Sequence, residues 1–176
     1  MNRCRPGQVR SPLLVLVLLP LIWAAAGAHE GFSGVVVGVI DGDTISVMRH
    51  GTPVRVRLAD IDCPERGQDF SQRAKEFTSD QVFGKVVDVR VQDVDRYRRL
   101  VARVQIGGRD LSLGLVQAGL AWHYKQYSTD PVLAAAERAA RAERKGLWSQ
   151  PNAVPPWEYR HQASPANAAG KARRSP

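Results

Sequence analysis

Val54-Arg55-Val56-Arg57-Leu58-Ala59-Asp60-Ile61-Asp62-Cys63-Pro64-Glu65 runs a strand directly into a loop, and the rest of the chain is read outward from it. Val54, Val56 and Leu58 alternate with Arg55 and Arg57, so the first half predicts a strand with one apolar and one cationic face. Pro64 lacks a backbone donor and keeps Cys63 extended, which ends the ladder and sets Glu65 on a rigid turn. An arginine suited to bidentate phosphate contact, a carboxylate suited to a hard cation and a second carboxylate free to take a proton thus fall within nine residues, Arg57 to Glu65. An edge strand with a solvated charged face would read the same way, so the decision rests on the flanking sequence.

Upstream, Val35-Val36-Val37-Gly38-Val39-Ile40 is β-branched, Asp41-Gly42-Asp43-Thr44 breaks it, and Ile45-Ser46-Val47-Met48 alternates before Arg49-His50-Gly51-Thr52 turns into the Val54 strand. This predicts a three-stranded antiparallel meander. Asp-Gly is a hairpin signal in its own right, and it also holds two carboxylates at a fixed turn, where Asp43 can share a cation with Asp62.

Downstream, Phe70 to Phe83 predicts a helix with Ala74, Phe77, Thr78, Val82 and Phe83 as its apolar stripe and Gly84 as its stop. Val87, Val89 and Val91 alternate with Asp88 and Arg90; Asp95-Arg96-Tyr97-Arg98-Arg99 turns into the strand Leu100 to Ile106. Five short strands in this order, with a helix after the third, predict an α+β fold: a five-stranded OB-type Greek-key barrel plus about three α-helices. A short helix is expected to end at Gly119, and Leu120 to Tyr124 forms an extended link. Asp130 caps a helix with Pro131 at its first position, packing through Val132, Leu133, Ala136, Ala139 and Ala140, with Arg138, Arg141, Glu143, Arg144 and Lys145 in water. His123 reads as a surface or capping histidine and Trp148 as a core anchor.

The ends read differently. Arg3, Arg5 and Arg10 precede the apolar run Leu13 to Ala26, and Ala26-Gly27-Ala28 has the small residues of a cleavage site, so residues 1–28 are expected to be a signal peptide. Pro12 and Pro20 bracket an apolar run shorter than the roughly 20 residues that span a bilayer. A secreted or periplasmic protein without stable membrane insertion follows. The domain is expected over 29–160 and a disordered basic Ala/Pro tail over 161–176.

Lysine and arginine number 25 against 17 acids, a net charge of +8 that falls to +5 without the three leader arginines. That balance favours a polyanionic partner, nucleic acid or an anionic envelope polymer. Cys63 alone remains after the leader, so no intramolecular disulfide can form, and no neighbouring histidine marks it as a nucleophile. No histidine pair has metal-ligand spacing. The arginines around Tyr97 can grip phosphate while the ring offers a stacking face.

Ile40-Asp41-Gly42-Asp43-Thr44, Arg57-Leu58 leading to Asp62-Cys63-Pro64-Glu65, Asp95-Arg96-Tyr97-Arg98-Arg99, Gly119-Leu120-Ala121 and Gly146-Leu147-Trp148 together resemble the staphylococcal nuclease (thermonuclease) family in order and spacing. The resemblance implies a Ca2+-dependent nuclease of DNA and RNA that leaves 3′-phosphate ends. It places Asp43, Asp62 and the Cys63 carbonyl at the calcium, Arg57, Glu65 and Arg99 as catalytic residues, and Arg96, Tyr97 and Tyr127 on the nucleotide. A monomer is expected. The chain departs from the nuclease for which the family is named in having Cys63 for threonine, Arg98 for glycine, and a shorter connection after Glu65. The competing reading is a non-catalytic nucleic-acid-binding OB module, since some barrels of the family have lost the acids.

Overall fold

The computed structural model describes residues 31–162; the leader read over 1–28 and the tail beyond Gln162 lie outside them. In chain order the elements are β1 (Gly31–Val39), β2 (Thr44–Arg49), β3 (Thr52–Leu58), β4 (Ile61–Asp62) and α1 (Ser71–Val82). They continue through β5 (Val86–Val94), β6 (Leu100–Ile106), β7 (Arg109–Asp110), α2 (Leu111–Gln117), β8 (Trp122–His123), α3 (Pro131–Ala142), a 3-10 turn at Gly146–Ser149, and α4 (Pro156–Gln162). Among the described residues no helix is long and apolar enough to cross a membrane.

Alternation sets the barrel. Val36, Ile45, Val47, Val56, Leu58, Val87, Val89, Ala102 and Val104 point inward and are buried, each valine or leucine contributing about 1.5–3 kcal/mol relative to exposure. The meander β1–β2–β3 is antiparallel, β5 joins the other edge of β1, and β6 follows β5. The barrel closes where β6 runs parallel to β3, with Val56, Arg57 and Leu58 beside Leu100, Val101 and Ala102. Register shifts at Val36/Gly38 and Val91/Asp93 supply the bends that a closed five-stranded sheet needs. The OB-type α+β architecture read from the sequence is the one found.

The helices depart from their expected faces in detail. In α1, Ala74, Thr78 and Val82 are buried, but Phe83 is past the last helical residue, extended, and 56% exposed. Asp130 caps α3 as expected, accepting from the Val132 N–H, with Pro131 at the first turn. Its inner stripe is Leu133, Glu137 and Ala140; Val132 and Ala139 face solvent. Glu137 tolerates burial because its carboxylate pairs with Lys125 at 3.1 Å and Arg141 at 3.4 Å and accepts from the His123 N–H. His123 is likewise buried, not superficial: β8 pairs with β4, Ile61 opposite His123, and this draws the expected link inside.

A second, aromatic core gathers Trp122, Ala140, Leu147 and Trp148, with Phe70, Ala153 and Trp157 against it. Trp148 is the anchor expected of it. Arg141 faces water as expected, 44% exposed, and also lies over both indoles, its guanidinium carbon 3.9 Å from the Trp148 ring centroid and 4.8 Å from that of Trp122. Gly119 and Gly146 hold this end shut. Both have positive φ, and a Cβ on Gly146 would stand 2.3 Å from the Gly119 carbonyl oxygen. The fourth helix, α4, has no counterpart in the expected three; Pro156 opens it, and it takes ordered chain to Gln162.

Candidate active site

Loops and strand ends of the barrel, the turn after β8 and α4 converge on one cleft of about 940 Å³, whose lining includes Asp41, Asp43, Arg57, Cys63, Glu65, Arg96, Tyr97, Arg99, Tyr124, Tyr127 and Arg160. Arg57 is delivered by β3, at the point where the barrel closes. It donates to Asp43 Oδ1 at 3.3 Å and to Asp62 Oδ1 at 2.7 Å, so one guanidinium brings together two acids nineteen positions apart in the chain. Asp43 also accepts from the Cys63 N–H and the Thr44 hydroxyl. Burial pushes the Asp43 carboxyl above its ordinary value despite the attraction of Arg57. Burial also works against the Arg57 charge, but Asp43 and Asp62 outweigh it and hold the guanidinium firmly protonated.

Gly42 sits inside this loop with no room for a side chain, since a Cβ would meet Ala74 at 2.7 Å and the Cys63 sulfur at 2.9 Å. The Thr78 hydroxyl of α1 locks the Gly42 carbonyl at 2.6 Å. Cys63 therefore faces the core, and burial pushes its thiol well up from the ordinary cysteine value, which keeps it protonated and unreactive.

On the facing hairpin, Asp95 organises the arginines. Its Oδ1 accepts from the backbone N–H groups of Tyr97 and Arg99, and its Oδ2 from Arg99 Nε at 2.7 Å. Burial opposes the Asp95 charge, but the Arg99 N–H and side chain outweigh it and hold the carboxyl below its usual range. Arg96 and Arg99 both lie over the Tyr97 ring, at 5.6 and 5.5 Å from its centroid, and Tyr97 is 70% exposed at the cleft mouth. Arg98 has φ 64°, the left-handed conformation that glycine adopts freely. This is the physical meaning of its departure from the family's glycine.

Asp62 behaves unlike the other expected residues. It is 1% exposed and does not line the cleft. Arg57 takes its Oδ1, and Arg160 of α4 takes its Oδ2 at 2.8 Å while also donating to Glu65 Oε1. Burial works against the Arg160 charge, and its contacts with Asp62 and Glu65 overcome it. Arg160 and Tyr124 are the residues that sequence reasoning missed. Pro156 followed by Trp157 and, three residues on, Arg160 was the available signal for a short helix with an aromatic and a cation on one face. The loop after Glu65 is tied to the same strap, since Gln68 accepts from the Glu65 N–H and donates to the Val154 carbonyl.

Residues 55–150 match the family model described as staphylococcal nuclease homologue. The chain is 42% identical over 148 residues to an uncharacterized endonuclease of Escherichia coli, covering 84% of this chain and 95% of that one. This chain belongs to the staphylococcal nuclease family. Family membership extends beyond one relative: a micrococcal nuclease of Shigella flexneri is 39% identical over 169 residues, with 90% and 93% covered. A plant relative, the staphylococcal-like nuclease CAN1 of Arabidopsis thaliana, is 38% identical over 106 residues, 60% of this chain and 33% of that one. The family assignment makes the protein a phosphodiester hydrolase with nucleic acid as its substrate, and Asp43, Arg57, Glu65 and Arg99 line the cleft just described.

Proposed function

We propose that this nuclease is an exported, calcium-dependent enzyme that cleaves DNA and RNA with little sequence preference and leaves 3′-phosphate ends. The observation that supports it best is the junction at Arg57, whose guanidinium binds the buried carboxylates of Asp43 and Asp62 beside a cleft lined by Glu65, Arg96, Tyr97, Arg99 and Tyr127. Among the described residues no three His, Cys, Asp or Glu side chains form a metal cage. That donor set suits a hard cation, which accepts two carboxylates completed by a backbone carbonyl and water, and it does not suit a soft or tetrahedral site. The buried, under-compensated charge of Asp43 fits the same reading. Asp43, Asp62 and the Cys63 carbonyl would hold the ion; bound there, calcium supplies charge withdrawal from a phosphate oxygen.

The chain's own groups do the rest. Glu65 accepts the proton of the attacking water. Arg57, which presents a planar fork between two acids, and Arg99, which Asp95 holds in place, stabilise the charge that grows on the phosphate oxygens. Tyr97 and Tyr127, each 70% exposed, stack on bases of any sequence, and Arg96 adds a phosphate contact. Because the grip is largely on phosphate, affinity falls steeply with salt. The leader supports export.

The test is single-turnover cleavage of end-labelled single-stranded DNA, duplex DNA and RNA, with calcium and with chelator, and phosphatase treatment of the products. Calcium-dependent cleavage of all three, with phosphatase-sensitive 3′ ends, is expected. Salt-sensitive binding without cleavage at any calcium concentration would establish the binding-module reading instead.

A further inference from the structure

Arg160 is in a position that the barrel alone does not explain. It reaches the site from α4, beyond the span matched by the family model, and its guanidinium closes over the two acids that the chemistry needs. Asp62 Oδ2 and Glu65 Oε1 are both occupied by it, so Asp62 is cut off from the cleft and Glu65 cannot take a proton at that oxygen while the contact lasts. The backbone that carries it is held in place. Trp157, one helical turn earlier, stacks on Tyr124 with ring planes 1° apart and centroids at 5.2 Å, and meets Trp122 edge-on at 5.6 Å. The side chain is held by its contacts with Asp62 and Glu65, and it is 41% exposed, against 17% for Arg57. A long arginine on a fixed helix can change partners without the helix moving.

Charge shows which partner comes next. Asp41, Asp43, Asp62 and Glu65 face Arg57 and Arg160 here, a deficit of two positive charges. A divalent cation cancels that deficit, and it stands beside a guanidinium that it repels. A phosphodiester, with its single negative charge and two free oxygens, matches what a freed guanidinium binds bidentately.

We propose that Arg160 is a third substrate arginine of this site: it occupies Asp62 and Glu65 until the divalent cation enters, and is then transferred to the phosphodiester. The inference rests on the nuclease reading above. Three consequences follow from it. Arg160 competes with the cation for Asp62, cooperates with it in binding phosphate, and leaves Glu65 unencumbered only once the cation is bound.

The experiment uses calcium alone, by titration calorimetry, and a phosphorothioate tetrathymidylate that resists cleavage, in saturating calcium, on wild type, R160Q and R160K. R160Q should bind calcium roughly tenfold more tightly and the oligonucleotide roughly tenfold more weakly, about 1.4 kcal/mol in each direction. R160K should return calcium affinity to the wild-type value, because the charge is restored, and recover only part of the oligonucleotide affinity, because an ammonium lacks the fork. Calcium affinity that is unchanged in R160Q, or that falls together with oligonucleotide affinity, would overturn the inference and reduce Arg160 to a structural contact. Cleavage is scored separately. Opposed shifts in a protein that cleaves neither DNA nor RNA would support Arg160's role and overturn the nuclease reading.

Discussion

The barrel wall and the C-terminal cap line the same cleft and are built on different physics. The wall is a hydrogen-bonded ladder over an aliphatic core, and its side chains alternate in and out with period two. The cap is an aromatic cluster in which Trp122, Trp148 and Trp157 meet at ring distances of 4.4 to 5.6 Å and Arg141 lies over two of the indoles. Asp43 and Arg57, with fixed relative geometry, come from the wall; Arg160, the arginine free to change partners, comes from the cap. The ladder fixes backbone at every residue, whereas a helix pinned by one stacked ring leaves its next turn to choose among contacts. Arg103 joins the two regions. It donates to Asp60 at 3.0 Å, in the turn after β3, and to Asp130 at 2.6 Å, at the start of α3.

Breaking the chemistry on the wall should have the largest effect. Glu65→Gln keeps the shape and removes the base, so the single-turnover cleavage rate should fall by roughly 10²–10⁴-fold with oligonucleotide binding retained. Raising calcium should not restore it, whereas Asp43→Asn and Asp62→Asn should be partly restored, since each weakens a proposed ligand. A Glu65→Gln enzyme cleaving near the wild-type rate would move the base elsewhere, and with it the claim that the wall carries the chemistry.

Breaking the cap should cost stability first. Gly146→Ala forces a left-handed residue and puts a methyl 2.3 Å from the Gly119 carbonyl oxygen. A loss of about 2–4 kcal/mol is expected, read as a lower midpoint in chemical denaturation with altered tryptophan fluorescence. A variant as stable as wild type would show that the cap is not a tightly closed unit.

The joint between the regions gives a pH-dependent test. Arg103, and then the Val132 N–H, hold the Asp130 carboxyl below its usual range. A group with a depressed folded value contributes stability above the pH at which it ionises when unfolded, and loses it as pH falls through the folded value. Asp130→Ala should therefore cost about 1 kcal/mol at neutral pH, the worth of a helix cap. The gap to wild type should narrow in acid. A gap that widened on acidification would reverse the assignment.

The smallest effect is expected at Cys63. Its thiol is buried, protonated and turned toward Gly42 and Ala74, so Cys63→Thr should keep cleavage within about threefold of wild type and cost about 1 kcal/mol or less by thermal melting. Inactivation with folding and calcium binding intact would instead make the thiol a participant.

Val54 to Leu58, Val87 to Val91 and Leu100 to Ile106 announced their strands because a half-buried ladder imposes its period on the chain. Asp130-Pro131 and Gly84 announced helix ends because caps and stops need particular residues. Asp43, Arg57 and Glu65 were legible for a related reason: they follow strand ends or turns whose residue types limit where the backbone goes. What local pattern determines, then, is the barrel, the carboxylates and arginines on its rim, and the basic charge that suits a polyanion. The buried His123 and Glu137, the Arg141 laid over two indoles, and Arg160 on Asp62 were decided only by tertiary structure. Arg160 meets Asp62, 98 positions away, and His123 is drawn inside opposite Ile61; pairing across the fold of this kind leaves no periodic trace in the chain. A buried charge is permitted by the group it meets, and that meeting exists only once the fold has formed.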